Sequence, residues 1–169
     1  MTTLRVVVHG ATGRMGQETL RALAREPDMA VVGAVARRPR EAPLAVGDGL
    51  TLPVATSLED TLAHARADVV VDFTSAEGAL ACARTAARHR AHTVIGSSGL
   101  TEAHLGELEA LAREHGVGVL VVPNFALGAV LLGWLARLAA PFFEYAEIVE
   151  AHHEAKVDAP SGTALALAR

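Results

Sequence analysis

This chain of 169 residues holds a single cysteine, Cys82, which excludes an intrachain disulfide framework and a cysteine-cluster metal site. Aromatic residues make up only 4% of it, so its core must come from Ala, Val and Leu, which suits close-packed helices over a buried parallel sheet. Positive charge is not in excess. The formal net charge of −4 provides no general attraction to nucleic acid or anionic membrane. Long apolar runs are missing too: the N-terminus leads straight into a strand pattern at Leu4–Val8 rather than a signal peptide, and no segment reads as a bilayer span. The expectation is a soluble, cytoplasmic protein with no nucleic-acid or membrane partner. Lysine is scarce as well. Lys156 is the only one, and the other residues of its class are all arginine. Either an arginine-favouring genome left one lysine by chance, or Lys156 does something arginine cannot, such as donating a proton.

What the chain does have is alternation. Apolar runs at Leu4–Val8, Val31–Val35, Val69–Phe73, Thr93–Ile95 and Val117–Val122 read as strands. Amphipathic stretches between them read as helices: Gly13 to about Arg25 with Met15, Leu20 and Leu23 on one face, Ala76–His89, and Thr101–His115 behind a Thr cap. Ser57 predicts a capped helix through His64, and Arg37–Pro53 reads as loop with a short strand near Leu50. A helix over Leu127–Ala139 and a strand starting at Ala146–Ala151 follow. Such alternation predicts an α/β fold: a Rossmann-type, doubly wound parallel sheet. A change of character near Pro123 predicts a dinucleotide-binding domain over residues 1–123. The start of an α+β substrate-binding and oligomerisation domain is predicted over residues 124–169.

Three groups of loops carry chemistry. Gly10-Ala11-Thr12-Gly13-Arg14-Met15-Gly16 stands between the first strand and first helix. A dinucleotide pyrophosphate needs closely approachable N–H groups at a helix N-terminus, and glycines there provide them. The spacing is GxxGxxG rather than GxGxxG, and a purely structural turn is the alternative. Arg37-Arg38 closes the second strand where an NAD-preferring domain usually has an acidic residue. Two guanidiniums there can bind a 2′-phosphate, although a solvated basic loop running on to Arg40 has the same composition. The third group is Asp72-Phe73-Thr74, Gly96-Ser97-Ser98-Gly99 and Pro123-Asn124-Phe125, all at expected carboxyl ends of strands. Small residues at 96–99 admit a nicotinamide ribose, Asn124 can hydrogen-bond a carboxamide and Phe125 can pack on a ring. Each alone is also ordinary turn chemistry.

The segment from Glu150 to Thr163 is the most pointed. It places His152, His153 and Lys156 within a dozen residues of Ser161-Gly162-Thr163, which leads into an apolar helix over Ala164–Ala168. The N–H groups of Gly162 and Thr163 can bind one carboxylate, and Lys156 with His153 can hold a second negative group. His152 can serve as a general acid because imidazole ordinarily titrates near neutrality. A small dianionic substrate receiving a hydride and then a proton fits such a site; a polar loop capping a helix is the plainer alternative. No metal is expected, since His152 and His153 are adjacent and diverge, and no HExxH pattern occurs.

Taken together, Gly10–Gly16, Asp72-Phe73-Thr74, Gly96–Gly99, Asn124-Phe125 and, above all, Glu150–Thr163 (EAHHEAKVDAPSGT) resemble the dihydrodipicolinate reductase family, also called 4-hydroxy-tetrahydrodipicolinate reductase. The resemblance implies NAD(P)H-dependent reduction of dihydrodipicolinate to tetrahydrodipicolinate in the diaminopimelate route to lysine. It implies His152 as proton donor or acceptor and Lys156 as proton donor, with His153, Ser161, Gly162 and Thr163 binding substrate. Cofactor contacts are then expected at Gly10, Ala11, Thr12, Gly13, Arg14, Met15, Arg37, Arg38, Phe73, Thr74, Gly96, Ser97, Ser98, Val122, Pro123, Asn124 and Phe125. NADPH is the expected cofactor, with NADH as a second, because Arg37 stands where the family often has an acidic residue. A homotetramer is expected from the resemblance alone. Family members are longer, so the remainder of the substrate-binding sheet is expected to be absent from this chain.

Rival readings make different demands. A short-chain dehydrogenase needs Tyr-x-x-x-Lys, but Tyr145 is the only tyrosine and Val149 stands four residues on. An aspartate dehydrogenase-like enzyme would share the fold but leave the Lys156 segment unexplained. A non-catalytic NADP-binding module would need only the first two loops.

Overall fold

The computed structural model describes residues 2–47, 49–152, 154 and 159–168. The chain divides into two compact units, residues 1–121 and 122–169. The first contains β1 (Leu4–His9), α1 (Arg14–Leu23), β2 (Met29–Val35), β3 (Leu44–Gly47), β4 (Leu50–Leu52), β5 (Val54–Ala55), α2 (Leu58–His64), β6 (Val69–Asp72), α3 (Ala76–Arg88), β7 (His92–Ile95), α4 (Glu102–His115) and β8 (Val119–Val121). Six strands form one sheet in the order β5-β2-β1-β6-β7-β8, and every pair in it is parallel. Strand order runs outward in both directions from β1 and β6. The loops after those two strands therefore diverge and leave a crevice at their carboxyl ends.

The sheet is covered on both faces because successive strand residues point to opposite sides. Val7 packs with Leu58, Leu62, Cys82 and Ala86, while its neighbour Val8 packs with Leu20, Leu44 and Val46. Ala79, Leu80 and Ala83 of α3 meet Ile95 and Leu108 in a third cluster. The run of small residues in α3 lets it approach the sheet closely.

Local signals set most helix ends. The Ser57 hydroxyl accepts from the Asp60 amide at 3.1 Å to start α2. Thr101 and His104 form a reciprocal capping box at the start of α4, which stops at Gly116 with φ +64°. In α1 the sequence pattern misleads at Met15, which is 42% exposed. The buried positions are Gly16 and Leu20, because α1 turns Gly16 against the backbone of the preceding loop, where no side chain fits. The Arg37–Pro53 stretch, read as loop with a short strand near Leu50, contains that strand as β4, paired antiparallel with β3, and the short β5 follows it.

The second unit contains α5 (Leu127–Ala139), a 3-10 turn (Ala140–Phe142) and α6 (Gly162–Leu167). A Cβ added at Gly133 would lie 3.4 Å from Leu167, so these two helices meet closely there. The strand expected at Ala146–Ala151 does not form. A strand needs a neighbour to fill its N–H and C=O groups. Among the described residues this segment has none, and Val149 is 91% exposed. No helix among the described residues is long and apolar enough to cross a membrane.

Candidate active site

In the first unit, the glycine loop opens α1 without any side-chain cap. Gly13 is the N-cap, the first turn contains no acidic residue, and Gly13, Arg14 and Met15 are exposed. The loop is held from behind: Gly10 and Ala11 donate to the Val35 carbonyl at 2.9 and 3.0 Å, and Gly13 donates to the Gly10 carbonyl at 3.0 Å. Gly10 has φ +81°, and a Cβ there would lie 2.7 Å from the Phe73 carbonyl oxygen. The Gly10 and Phe73 segments are thus in backbone contact. The free N–H groups and dipole at the start of α1 face solvent, an arrangement that accepts an anion. Arg37 and Arg38 are exposed just beyond β2.

Behind these loops lies Asp72, fully buried. Its carboxylate meets His9 Nδ1 at 2.6 Å and accepts from the Ser97 hydroxyl at 2.7 Å. The Thr74 amide donates to it at 3.1 Å, and the Thr74 hydroxyl at 2.9 and 3.0 Å. Burial pushes this carboxyl up, but the hydrogen bonds from His9, Ser97 and Thr74 outweigh it and hold Asp72 below the ordinary carboxylate range. The Cys82 sulfur lies within 4.8 Å of the His9 and Asp72 ligand atoms. Burial first, and the Asp72 charge second, push that thiol well above its ordinary value.

In the second unit, Glu150 joins His152 to the start of α6. Its carboxylate accepts from the Ser161 amide at 2.8 Å and from the Ser161 hydroxyl, and it meets His152 Nε2 at 2.9 Å. The Ser161 side chain, the His152 ring and the Ser161 amide together hold the Glu150 carboxyl down at about 2. Ser161 also caps α6, its hydroxyl accepting from the Ala164 amide at 3.1 Å. Asn124 donates to the Thr163 hydroxyl at 3.0 Å and accepts from the Ala126 amide at 2.8 Å. An apolar hollow lies beside Glu150, lined by Ile148, Ala159, Pro160, Ala164, Leu165 and Ala168.

Residues 4–125 match the family model for dihydrodipicolinate reductase, N-terminus, and residues 128–169 match that for dihydrodipicolinate reductase, C-terminus. The chain belongs to the dihydrodipicolinate reductase family. It is 44% identical over 169 residues to a 4-hydroxy-tetrahydrodipicolinate reductase of Dehalococcoides mccartyi, covering 99% of this chain and 64% of the relative. A protein of the same name from Moorella thermoacetica is 48% identical over 170 residues, covering 98% of this chain and 63% of the relative. The solved structure of dipicolinate-bound dihydrodipicolinate reductase from Paenisporosarcina sp. TG-14 superposes with a TM-score of 0.77 at 32% identity. That match covers 99% of this chain and 64% of the other. The chain therefore spans a little under two thirds of the length of these reductases.

Within this family frame, the structure joins some expected site residues and leaves others apart. Thr74 and Ser97 converge on Asp72, with their hydroxyls turned onto its carboxylate. Asn124 is tied to Thr163, and His152 to Ser161 through Glu150. His153 and Lys156 lie outside the described residues. Sequence reasoning missed His9, Asp72 and Glu150 as organisers. Two signals were available: a histidine directly before Gly10, and a carboxylate at the head of the Glu150–Thr163 motif.

Proposed function

We propose that the protein carrying this chain reduces dihydrodipicolinate to tetrahydrodipicolinate, with NADPH preferred over NADH, in the diaminopimelate route to lysine. The observation that carries this reading is the Glu150 clamp, which holds His152 beside Ser161 at the head of the family's most distinctive motif. The dipicolinate of the Paenisporosarcina relative is a pyridine dicarboxylate, in keeping with a small dicarboxylate as substrate. Residues 1–123 form the nucleotide-binding domain, and residues 124–169 begin the substrate-binding and tetramerisation domain. The complete protein is a cytoplasmic homotetramer.

When bound, the reduced nicotinamide supplies a hydride. The uncapped start of α1 accepts the pyrophosphate through the N–H groups near Gly13, Arg14 and Met15. Ala11 and Thr12 shape this loop, Arg37 and Arg38 hold the 2′-phosphate, and Gly96, Ser98 and the segment Val122–Phe125 border the nicotinamide end. Gly162 and Thr163 hold one substrate carboxylate through backbone N–H groups, and His153 holds the other negative group. Lys156 protonates the substrate, with His152 as its partner in proton transfer. An ammonium can give up its proton and stabilise developing negative charge, whereas a guanidinium almost never deprotonates.

The test is turnover of freshly generated dihydrodipicolinate with NADPH, followed by absorbance. Lys156→Ala should lose on the order of 10²–10⁴ in turnover while binding NADPH normally. Lys156→Arg should not restore the rate, and Arg37→Glu should weaken NADPH but not NADH. Near-wild-type turnover in a folded Lys156→Ala protein would sink the proton-transfer assignment.

A further inference from the structure

Three strands of the sheet end on one carboxylate. His9 is the last residue of β1, Asp72 the last of β6, and Ser97 stands two residues beyond the end of β7. His9 and Ser97 reach Asp72 at 2.6 and 2.7 Å, and Thr74 of the intervening loop donates to it from both backbone and side chain. Fold alone does not require a charge here. Asp72 follows Val69, Val70 and Val71 on the same strand, and an apolar side chain could continue that packing without burying a carboxylate. The donors are not from the middle of the sheet. Each sits next to a loop residue assigned above to the nucleotide: His9 precedes Gly10, Thr74 follows Phe73, and Ser97 lies between Gly96 and Ser98. The coupling between loops is tight. The Phe73 amide donates to the His9 carbonyl at 3.0 Å, and Gly10 rests on the Phe73 carbonyl with no room for a Cβ.

We propose that Asp72 is the positioning residue of the nucleotide cleft, clamping the loops after β1, β6 and β7 at one fixed separation through His9, Thr74 and Ser97. The proposal rests on the nucleotide-binding reading above and names which buried group sets that site's geometry. Ser97 then serves by holding its backbone in place, since its hydroxyl is turned inward onto Asp72 rather than toward a ligand. Asp72→Asn keeps the size but offers one acceptor oxygen and an NH2 group, which must face one of the present donors. The clamp then loosens without a cavity being made. Ser97→Ala removes a single strut, and Ser97→Thr keeps the hydroxyl.

Two ligands separate a clamp from a general support of the fold. NADPH must span the glycine loop and the Ser97 loop together. Adenosine 2′,5′-bisphosphate keeps only one of the two bridging phosphates and lacks the nicotinamide, so it engages the Arg37 and Arg38 end and the glycine loop but does not reach the Ser97 loop. Calorimetric titration of the 169-residue protein with both ligands, beside thermal unfolding, reads the difference. Asp72→Asn and Ser97→Ala should each weaken NADPH about tenfold or more, as expected for one lost charge-assisted hydrogen bond. Both should hold adenosine 2′,5′-bisphosphate within about twofold of wild type, the scale of a change too small to reflect a lost contact. Ser97→Thr should recover most of the NADPH affinity. If Asp72→Asn does not fold, Ser97→Ala decides by the same split. Variants that melt earlier yet bind NADPH as wild type, or that lose both ligands in parallel, overturn the clamp and leave the nucleotide reading standing. A wild type that binds neither ligand overturns both.

Discussion

Replacing Gly10 by alanine tests the glycine loop most directly. Two separate penalties apply. Gly10 has φ +81°, a conformation that costs an L-residue about 1–2 kcal/mol. The added Cβ would also lie 2.7 Å from the Phe73 carbonyl oxygen and 3.0 Å from its carbon. That carbonyl belongs to backbone tied to His9 by the Phe73 amide, so it cannot swing aside as a flexible side chain would. Forcing an atom into such a contact typically costs about 1–3 kcal/mol. The sum is roughly 2–5 kcal/mol, and each kcal/mol lowers Tm by about 2–4 °C in a protein of this size. Gly116 provides the internal reference. It also has positive φ, at +64°, but nothing lies within 4 Å of its added Cβ. Gly116→Ala should therefore show the backbone penalty alone, about 1–2 kcal/mol. Urea unfolding of the two variants beside wild type isolates the clash as the difference between them. Gly10→Ala should also weaken NADPH, because relief of the clash moves the N–H groups before α1, whereas Gly116→Ala should not. Equal unfolding midpoints for the two variants would refute the close approach of Gly10 to Phe73 and the loop geometry built on it.

Two other outcomes follow from the titrating groups. The Glu150 carboxyl is held at about 2, below an ordinary 4.5, so its contribution to stability is complete above pH 4.5 and is lost as pH falls toward 2. The gap in urea midpoint between wild type and Glu150→Gln should be constant near neutrality and close across that window; a Glu150 carboxyl resonance titrating near 4.5 would contradict the Ser161 and His152 contacts. Cys82 is 1% exposed, and burial together with the Asp72 charge raises its thiol. Its alkylation at pH 8 should therefore track unfolding, and rapid labelling of the native protein would show that this part of α3 is not packed as described.

Much of the candidate site was legible as lettering before it was legible as geometry. Gly10–Gly16, Arg37-Arg38 and the Glu150–Thr163 segment could be picked out because their chemistry depends on residue type at short range: glycines for backbone approach, guanidiniums for phosphate, a histidine pair near a lone lysine. The hub of the first unit was not legible. His9 and Asp72 are 63 residues apart, and Asp72 and Ser97 are 25 apart. No local pattern marks a contact made only when β1, β6 and β7 lie side by side. Met15 misled for a related reason. Helical spacing placed it on the apolar face, but α1 is rotated so that Gly16 meets the loop.

The sequence by itself determined the alternation of strands and helices, the parallel sheet that such alternation requires, the caps at Ser57 and Thr101, and the family. Those features come from periodicity and from side chains bonding within their own turn, so they survive without knowledge of neighbours. Tertiary structure decided which residues meet. It left Ala146–Ala151 without a strand because the described residues offer no partner edge, made β3 and β4 a pair, turned Ser97 inward, and placed one buried carboxylate where three strands end. Hydrogen bonds between distant segments have no period in a sequence, and strand formation depends on a partner's backbone, so only the folded chain could settle them.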